Sequence, residues 1–297
     1  MQWVPGNSWS YRLPPCRRFS PVGAQVGPAC PHRGAGESVS GEAVVVTGLR
    51  AVRGAAVEEI RDLVVAEHEL TIRWHGRRLA TLLCTPQHLE ELVVGFLLTA
   101  GFIDGVGQIE RLSIGPGEAD VETQDPDPGR LFRTEATWTG CGGRPVPLPS
   151  RPSRVPAEGR VHRQHLTELA RLLQLDCPIF RTTGGTHVAA ATCQGQRHFA
   201  VVREDIGRHN AVDKVAGYAL LGGQVGQLEV LTVSGRVSSD MLIKASRLAV
   251  PVVLSRSAPT ERAVALAAEA GITLVGFCRG DRFNIYTHPH RICTGNA

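Results

Sequence analysis

LEVLTVSGRVSSDMLIKASRLAVPVVLSRSAPTERAVALAAEAGITLVGF, residues Leu228–Phe277, sets three short apolar runs around two helix-like stretches. The runs are LEVLTVSG, VPVVLSRS and ITLVGF. The intervening stretches begin near Ser238 and after Thr260. Strands alternating with helices of roughly 10–15 residues predict an α/β layer whose sheet is largely parallel. Upstream, RQHLTELARLLQL (Arg163–Leu175) reads as a helix and THVAAATCQGQRHFAVVRED (Thr186–Asp205) as a hairpin turning at CQGQ. A further helix runs from about Asn210 to Leu221.

The first half has a different texture. Residues 43–83 are rich in Val, Leu, Ile and Thr with a turn near Gly76, which is β character. TPQHLEELVVGFLLTAGFI (Thr85–Ile103) then carries a helical signature. Thr85 is placed to cap, Pro86 suits the first turn, Glu90 and Glu91 sit near the positive end, and Gly101 is a stop. More short strands are expected from about 108 to 138. Residues 142–160 hold five prolines and no apolar period, marking an exposed segment with a boundary near its end. The organisation expected is α/β overall: a 1–42 extension, a mixed domain at 43–141, a Pro-rich linker at 142–160 and an α/β domain at 161–297.

Composition narrows the function. The 297 residues are 42% hydrophobic and 20% charged, with net charge +4, which is globular and too weakly basic to argue for nucleic acid. The first 42 residues contain six Pro, six Gly, four Arg and two Glu, with no signal-peptide core, and read as disordered. No run of about 18 apolar residues occurs, so no membrane span is expected. The eight cysteines are scattered without a CxxC and point to reduced thiols in the cytoplasm. Neither a closed zinc site nor a P-loop is present.

Polar residues concentrate where strands end. REDIGRHN (Arg203–Asn210), SGRVSSD (Ser234–Asp240), SRSAPT (Ser255–Thr260) and GFCRGDR (Gly276–Arg282) each follow an apolar run. In open α/β sheets ligands bind beyond the carboxyl ends of the strands, so the four segments are expected to share one rim. Their glycines allow close backbone approach, and Arg208, Arg236, Arg279 and Arg282 suit phosphate. Each has a plainer alternative: Asn210 as a cap with Asp213 in the first turn, Asp205 as an ion-pair partner, His187 as a core histidine. Cys141, in TWTGCGGRP (Thr137–Pro145), has the most reactive context, flanked by glycines that expose the thiol and by Arg144. The alternative is an incidental cysteine in a surface loop. Cys177, beside Pro178-Ile179-Phe180, reads as a small buried hydrophobe.

Six segments resemble the formate dehydrogenase accessory sulfurtransferase family, FdhD/NarQ. They are TPQHLEELVVGFLLTAGFI, RTTGGTHVAAA, REDIGRHNAVDKVAGYAL, SGRVSSDMLIKA, SAPTERAVALAAEAGITLVGF and YTHPHRI, spread over residues 45–292. The resemblance implies a cytoplasmic homodimer that takes persulfide sulfur from a cysteine desulfurase. It passes that sulfur to bis(molybdopterin guanine dinucleotide) before the cofactor enters the formate dehydrogenase catalytic subunit, with GDP-like nucleotides as mimics. It also implies a three-layer α/β/α second domain like cytidine deaminase, although the HxE and PCxxC elements of a zinc deaminase are absent. By position, Cys141 corresponds to the persulfide cysteine. Phe277, Cys278, Arg279, Gly280, Asp281 and Arg282 correspond to the cofactor-binding segment. Asp205, Gly207, Arg208, His209 and Asn210, with His187, Ser234, Arg236 and Ser257, are expected to line the same cleft. Many members carry CxxC in the loop where this chain reads GCGGR, leaving Cys278 as the fallback thiol. A cofactor-binding chaperone without sulfur transfer, or a nucleotide-processing enzyme, are the competing readings.

Overall fold

The computed structural model describes residues 9–11, 43–51, 57–124, 152–155 and 159–293. The first half contains β1 (Trp9–Tyr11), β2 (Ala43–Arg50), β3 (Glu58–Val65), β4 (His68–Trp74), β5 (Arg77–Cys84), α1 (Leu89–Thr99), β6 (Ile109–Ile114) and β7 (Glu118–Thr123). Five of these strands form a sheet ordered β1-β6-β7-β4-β5, while β2 and β3 pair as a separate antiparallel hairpin. The second half contains β8 (Val161–His162), α2 (Arg163–Leu172), α3 (Pro178–Thr183), β9 (His187–Cys193), β10 (Val201–Asp205), α4 (Arg208–Leu221), β11 (Leu228–Val233), α5 (Ser239–Arg247), β12 (Val252–Ser255), α6 (Glu261–Ala270), β13 (Thr273–Arg279), β14 (Arg282–Ile285) and β15 (Ile292–Cys293).

The second sheet is ordered β10-β9-β11-β12-β13-β14. It is mixed, which corrects the expectation of a largely parallel sheet. Only β11–β12 and β12–β13 pair in parallel, because only these neighbours are joined by helical crossovers, α5 and α6. β9–β10 and β13–β14 are joined by short turns and must run antiparallel. Both faces of the sheet are covered. Ala189 and Ala191 of β9 face the core shared with α4, while Val188 and Ala190 face the side of Leu173 and Cys177. That two-sided burial explains why β9 is a continuous apolar run and not an alternating one. Cys177 is fully buried, as expected.

One core runs through both halves of the chain, from Leu70, Ile72 and Trp74 through Phe96 and Val215 to Leu274. Its centre is the crossing of α1 on α4. A Cβ on Gly95 would overlap the Asp213 carbonyl and come within 2.5 Å of the Gly217 nitrogen. A Cβ on Gly217 would lie 2.5 Å from the Glu91 carbonyl carbon. The two backbones touch there, so no side chain fits.

Two ion pairs lie on α4. Asp205 and Lys214, both fully buried, are 2.7 Å apart, and the Thr85 hydroxyl accepts from Lys214 Nζ at 2.7 Å. Lys244 Nζ donates to both Asp213 oxygens at 2.7 and 2.8 Å and to Thr99 Oγ1 at 2.9 Å. This corrects two expectations. Thr85 does not cap α1: the helix starts at Leu89 behind His88, and Thr85 is drawn into the Asp205 cluster instead. Asn210 does not cap α4 either. Gly207 holds that position, and Asn210 Nδ2 donates to Asp205 Oδ1 and to the Leu83 carbonyl.

These contacts make three expectations measurable. Gly95→Ala or Gly217→Ala should lose about 3 kcal/mol or more in urea unfolding, whereas Gly107→Ala, which meets open space, should stay within about 0.5 kcal/mol of wild type. Lys244→Met strands a buried carboxylate and should cost roughly 3–5 kcal/mol, most of it recovered in the Asp213→Leu/Lys244→Met double variant. Burial, with Lys244, Arg208 and His187 nearby, pushes His209 down to about 3. The folded state therefore binds the proton less well than the unfolded chain. The imidazole's contribution is complete above about pH 6.5 and is lost as pH falls toward 3, by up to about 1.4 kcal/mol per unit. His209→Gln should flatten that acid limb in pH-dependent denaturation.

Candidate functional site

The four polar segments do meet at one end of the second sheet. In the ladder His187 lies opposite Asp205 and Ala189 opposite Val233. β11, β12 and β13 run side by side, so their carboxyl ends share that edge. The loops are laced together. Ser255 Oγ donates to the Gly235 carbonyl at 2.7 Å and accepts from Ser257 N–H at 2.9 Å. Phe277 N–H donates to the Ser257 carbonyl, and Arg279 Nε donates to the Arg256 carbonyl at 2.9 Å.

Two adjoining cavities open on this rim. The first, about 490 Å³, is lined by His187, Ser234, Ser257 and Arg279 among the expected residues, together with Gln174, Phe180, Thr186 and Arg256. The second, about 480 Å³, shares Gln174, Arg256 and Arg279 and is bordered by Cys278, Gly280 and Asp281. The wall before β9 depends on two glycines. Gly184 has φ +67° and ends α3. At Gly185 a Cβ would come 2.5 Å from Val65 Cγ1, so the base of the β2–β3 hairpin presses directly on the turn.

The electrostatics favour an anion. Burial lowers the Arg256 guanidinium, and the neighbouring Arg279 charge adds to that effect. Burial and then the Arg208 charge lower His187, against the pull of Asp205, so the imidazole is neutral at pH 7. Gly235 lets these groups approach: a Cβ there would lie 3.3 Å from His187 Nδ1 and 3.5 Å from Arg208 Cδ. Among the described residues no cluster of three His, Cys, Asp or Glu side chains is placed to hold a metal ion.

Other expected residues fall elsewhere. Asp205 is fully buried with both oxygens committed to Lys214, Thr85, Gly207 and Asn210, so it supports the rim from behind and does not line the cleft. Asn210 and His209 face inward for the same reason, as buried residues of the first turn of α4. Gly207 is the N-cap of that helix, and its N–H donates to Asp205 Oδ1. Cys278 is fully buried, and desolvation pushes its thiol up to about 11, so the proposed fallback nucleophile is corrected to a core residue at the cavity floor. Arg236, Phe277 and Arg282 are exposed beside the rim but line neither cavity. Cys141 and its glycine loop lie outside the described residues.

Arg256, Gln174 and Phe180 went unsingled in the sequence. Arg256 carried a signal, since it sits inside SRSAPT at a strand end. Phe180 carried none, because an apolar residue after Cys177-Pro178-Ile179 reads as core, yet the residue is 41% exposed.

Residues 65–293 match the FdhD/NarQ family. The chain is 36% identical over 244 residues to the sulfur carrier protein FdhD of Bacillus subtilis (strain 168), covering 80% of this chain and 92% of that one. It is 40% identical over 239 residues to the protein of the same name from Bacillus pumilus (strain SAFR-032), covering 78% and 90%. A crystal structure described as a formate dehydrogenase accessory protein from Desulfotalea psychrophila superposes with a TM-score of 0.72 at 25% identity, over 85% of this chain and 100% of that one. With more than three quarters of its length matched by sequence and the same fold found in the solved relative, this chain belongs to the FdhD/NarQ family.

Proposed function

We propose that the protein is a sulfur carrier for formate dehydrogenase. The observation that carries this reading is the agreement between family membership and a cationic cleft at the strand ends, lined by Arg256 and Arg279. Sulfur arrives as a persulfide on a cysteine desulfurase. The Cys141 thiolate attacks its terminal sulfur, a new S–S bond forms at Cys141, and the desulfurase cysteine leaves as a thiolate. The cargo is bis(molybdopterin guanine dinucleotide), a substrate whose diphosphates suit the paired guanidinium groups. The Cys141 S–S bond then breaks as the terminal sulfur passes to that substrate, with two electrons drawn from its reduced molybdenum taking the sulfur to the sulfide level, and Cys141 leaves as a thiolate that reprotonates. The glycines around Cys141 suit a loop that must reach both donor and acceptor.

The chain's own residues would bind and orient. His187, held neutral, can both donate and accept hydrogen bonds with the substrate. Cys278, Cys177 and Cys84 are all buried with their thiols raised by desolvation, so none competes with a thiol in a polar glycine loop. No helix among the described residues is long and apolar enough to cross a membrane. A cytoplasmic homodimer working with a cysteine desulfurase and the dehydrogenase catalytic subunit completes the reading. The helices on both faces of the second sheet favour kinship with the cytidine deaminase fold.

Incubation with a desulfurase and sulfur-labelled cysteine should add one sulfur to the wild-type chain, located by mass spectrometry on Cys141. Cys141→Ala should take up no label and fail to restore formate dehydrogenase activity in cells lacking the carrier. Restoration by Cys141→Ala would sink the transfer mechanism. Guanine-nucleotide binding with no adduct, alongside restored activity, would instead identify a chaperone of the finished cofactor.

A further inference from the structure

The 490 Å³ cavity contains an arrangement that neither the family match nor the strand-end argument assigns. Phe180 stands on its wall with 41% of its surface exposed, one of the few large apolar side chains left open in the second half. Its backbone is held at both ends. Its N–H donates to Glu204 Oε1 at 2.7 Å, and its carbonyl accepts from Gly184 N–H at 2.7 Å. Glu204 is itself buried at the end of β10, and its carboxylate also accepts from Ile179 N–H at 3.0 Å and from the Thr186 hydroxyl at 2.9 Å. One buried carboxylate thus ties both ends of the segment from Ile179 to Thr186, which forms this side of the cavity. Pro178 at the start of α3 and Val65 packed on Gly185 hold the same segment from outside.

The anchored backbone presents the Phe180 ring at the cavity wall as a fixed, flat apolar surface. The remaining lining says what would cover it. Arg256 and Arg279 bring two guanidinium groups, Ser234 and Ser257 bring hydroxyls, and among the described residues no Asp or Glu lines the cavity. An apolar ligand would leave the guanidinium groups unanswered, and a bare anion would leave the ring uncovered. A molecule with a flat heterocycle at one end and a diphosphate at the other answers both.

We propose that Phe180 is the stacking surface for the base of a nucleoside diphosphate whose phosphates lie on Arg256 and Arg279, and that Glu204 is the positioning residue that fixes the ring. The proposal rests on the cavity being the cofactor cleft described above. It adds Phe180 and Glu204 to the groups that recognise one nucleotide arm. Stacking selects for a planar base, while the guanidinium pair reads only the phosphates.

The test is calorimetric titration of the full-length chain with GDP and, separately, with inorganic pyrophosphate. Phe180→Leu should weaken GDP about tenfold and leave pyrophosphate unchanged, and Phe180→Trp should retain GDP within about threefold. Arg256→Gln should weaken both ligands. Glu204→Gln, which turns an amide hydrogen toward donors, should reproduce the selective GDP loss. Should that variant fail to fold, the two Phe180 variants decide. Unchanged GDP affinity in Phe180→Leu, or an equal loss of both ligands, overturns the stacking role. A wild-type chain that takes up neither GDP nor pyrophosphate overturns the cleft itself, which is a separate and earlier failure.

Discussion

The Asp205–Lys214 ion pair is the contact on which the rest of the molecule depends. Both groups are fully buried, where an unpaired charge would be strongly destabilising. Their hydrogen bonds reach three parts of the chain: Thr85 at the end of β5, the Glu204 carbonyl in β10 and Asn210 in the first turn of α4. The pair therefore joins the two halves and sets the angle at which the chain leaves β10. A second pair, Asp213–Lys244, repeats the device at the preceding residue of α4 and recruits Thr99 from α1 and Lys244 from α5. Between them α4 is buried around nearly all its circumference. The glycine contact of α1 and α4 is geometrically compatible with both pairs, since Gly95 lies against the backbone of Asp213.

From this frame the site follows. Arg203, next to Glu204 and Asp205, makes a bidentate ion pair with Glu91 of α1 at 2.5 and 2.6 Å and lies over the Tyr218 ring. Three consecutive residues of β10 thus face three structures: α1, the wall of the cavity and the core of the interface. Rigidity at the rim is built from behind, by the buried carboxylates of Glu204 and Asp205. Among the described residues, the charged and polar groups lining the first cavity are guanidinium, hydroxyl, amide and imidazole, which suits recognition of a phosphorylated molecule.

The site was legible in the sequence as places more than as residues. The four polar segments were found at strand ends, because strand and helix periods reveal where a strand stops. Which side chain of each segment turns outward was not legible. REDIGRHN reads as a ligand-binding turn because it is dense in charge, yet its Asp205 and Asn210 point into the core. Local spacing carries no record of Lys214 lying beneath them or of Thr85 arriving from far upstream. Cys278 misled for a related reason. It sits between two exposed residues, Phe277 and Arg279, where β13 is irregular and Phe277 has φ +54°, and its side chain faces the buried side. Phe180 went the other way, an apolar residue left open because Glu204 holds its backbone at the cavity edge.

By itself the sequence determined the element types, the alternation of strand and helix in the second half, the glycine stops and the family, since these depend on residues near one another in the chain. Only the tertiary structure decided that the second sheet is mixed, that both halves share one core, and that the acids of β10 are structural while Arg256 and Phe180 face the cavity. The physical reason is that burial and pairing of charge are settled between residues far apart in sequence. Thr85 and Lys214, or Thr99 and Lys244, acquire their roles only when α1 and α4 close on each other through Gly95 and Gly217.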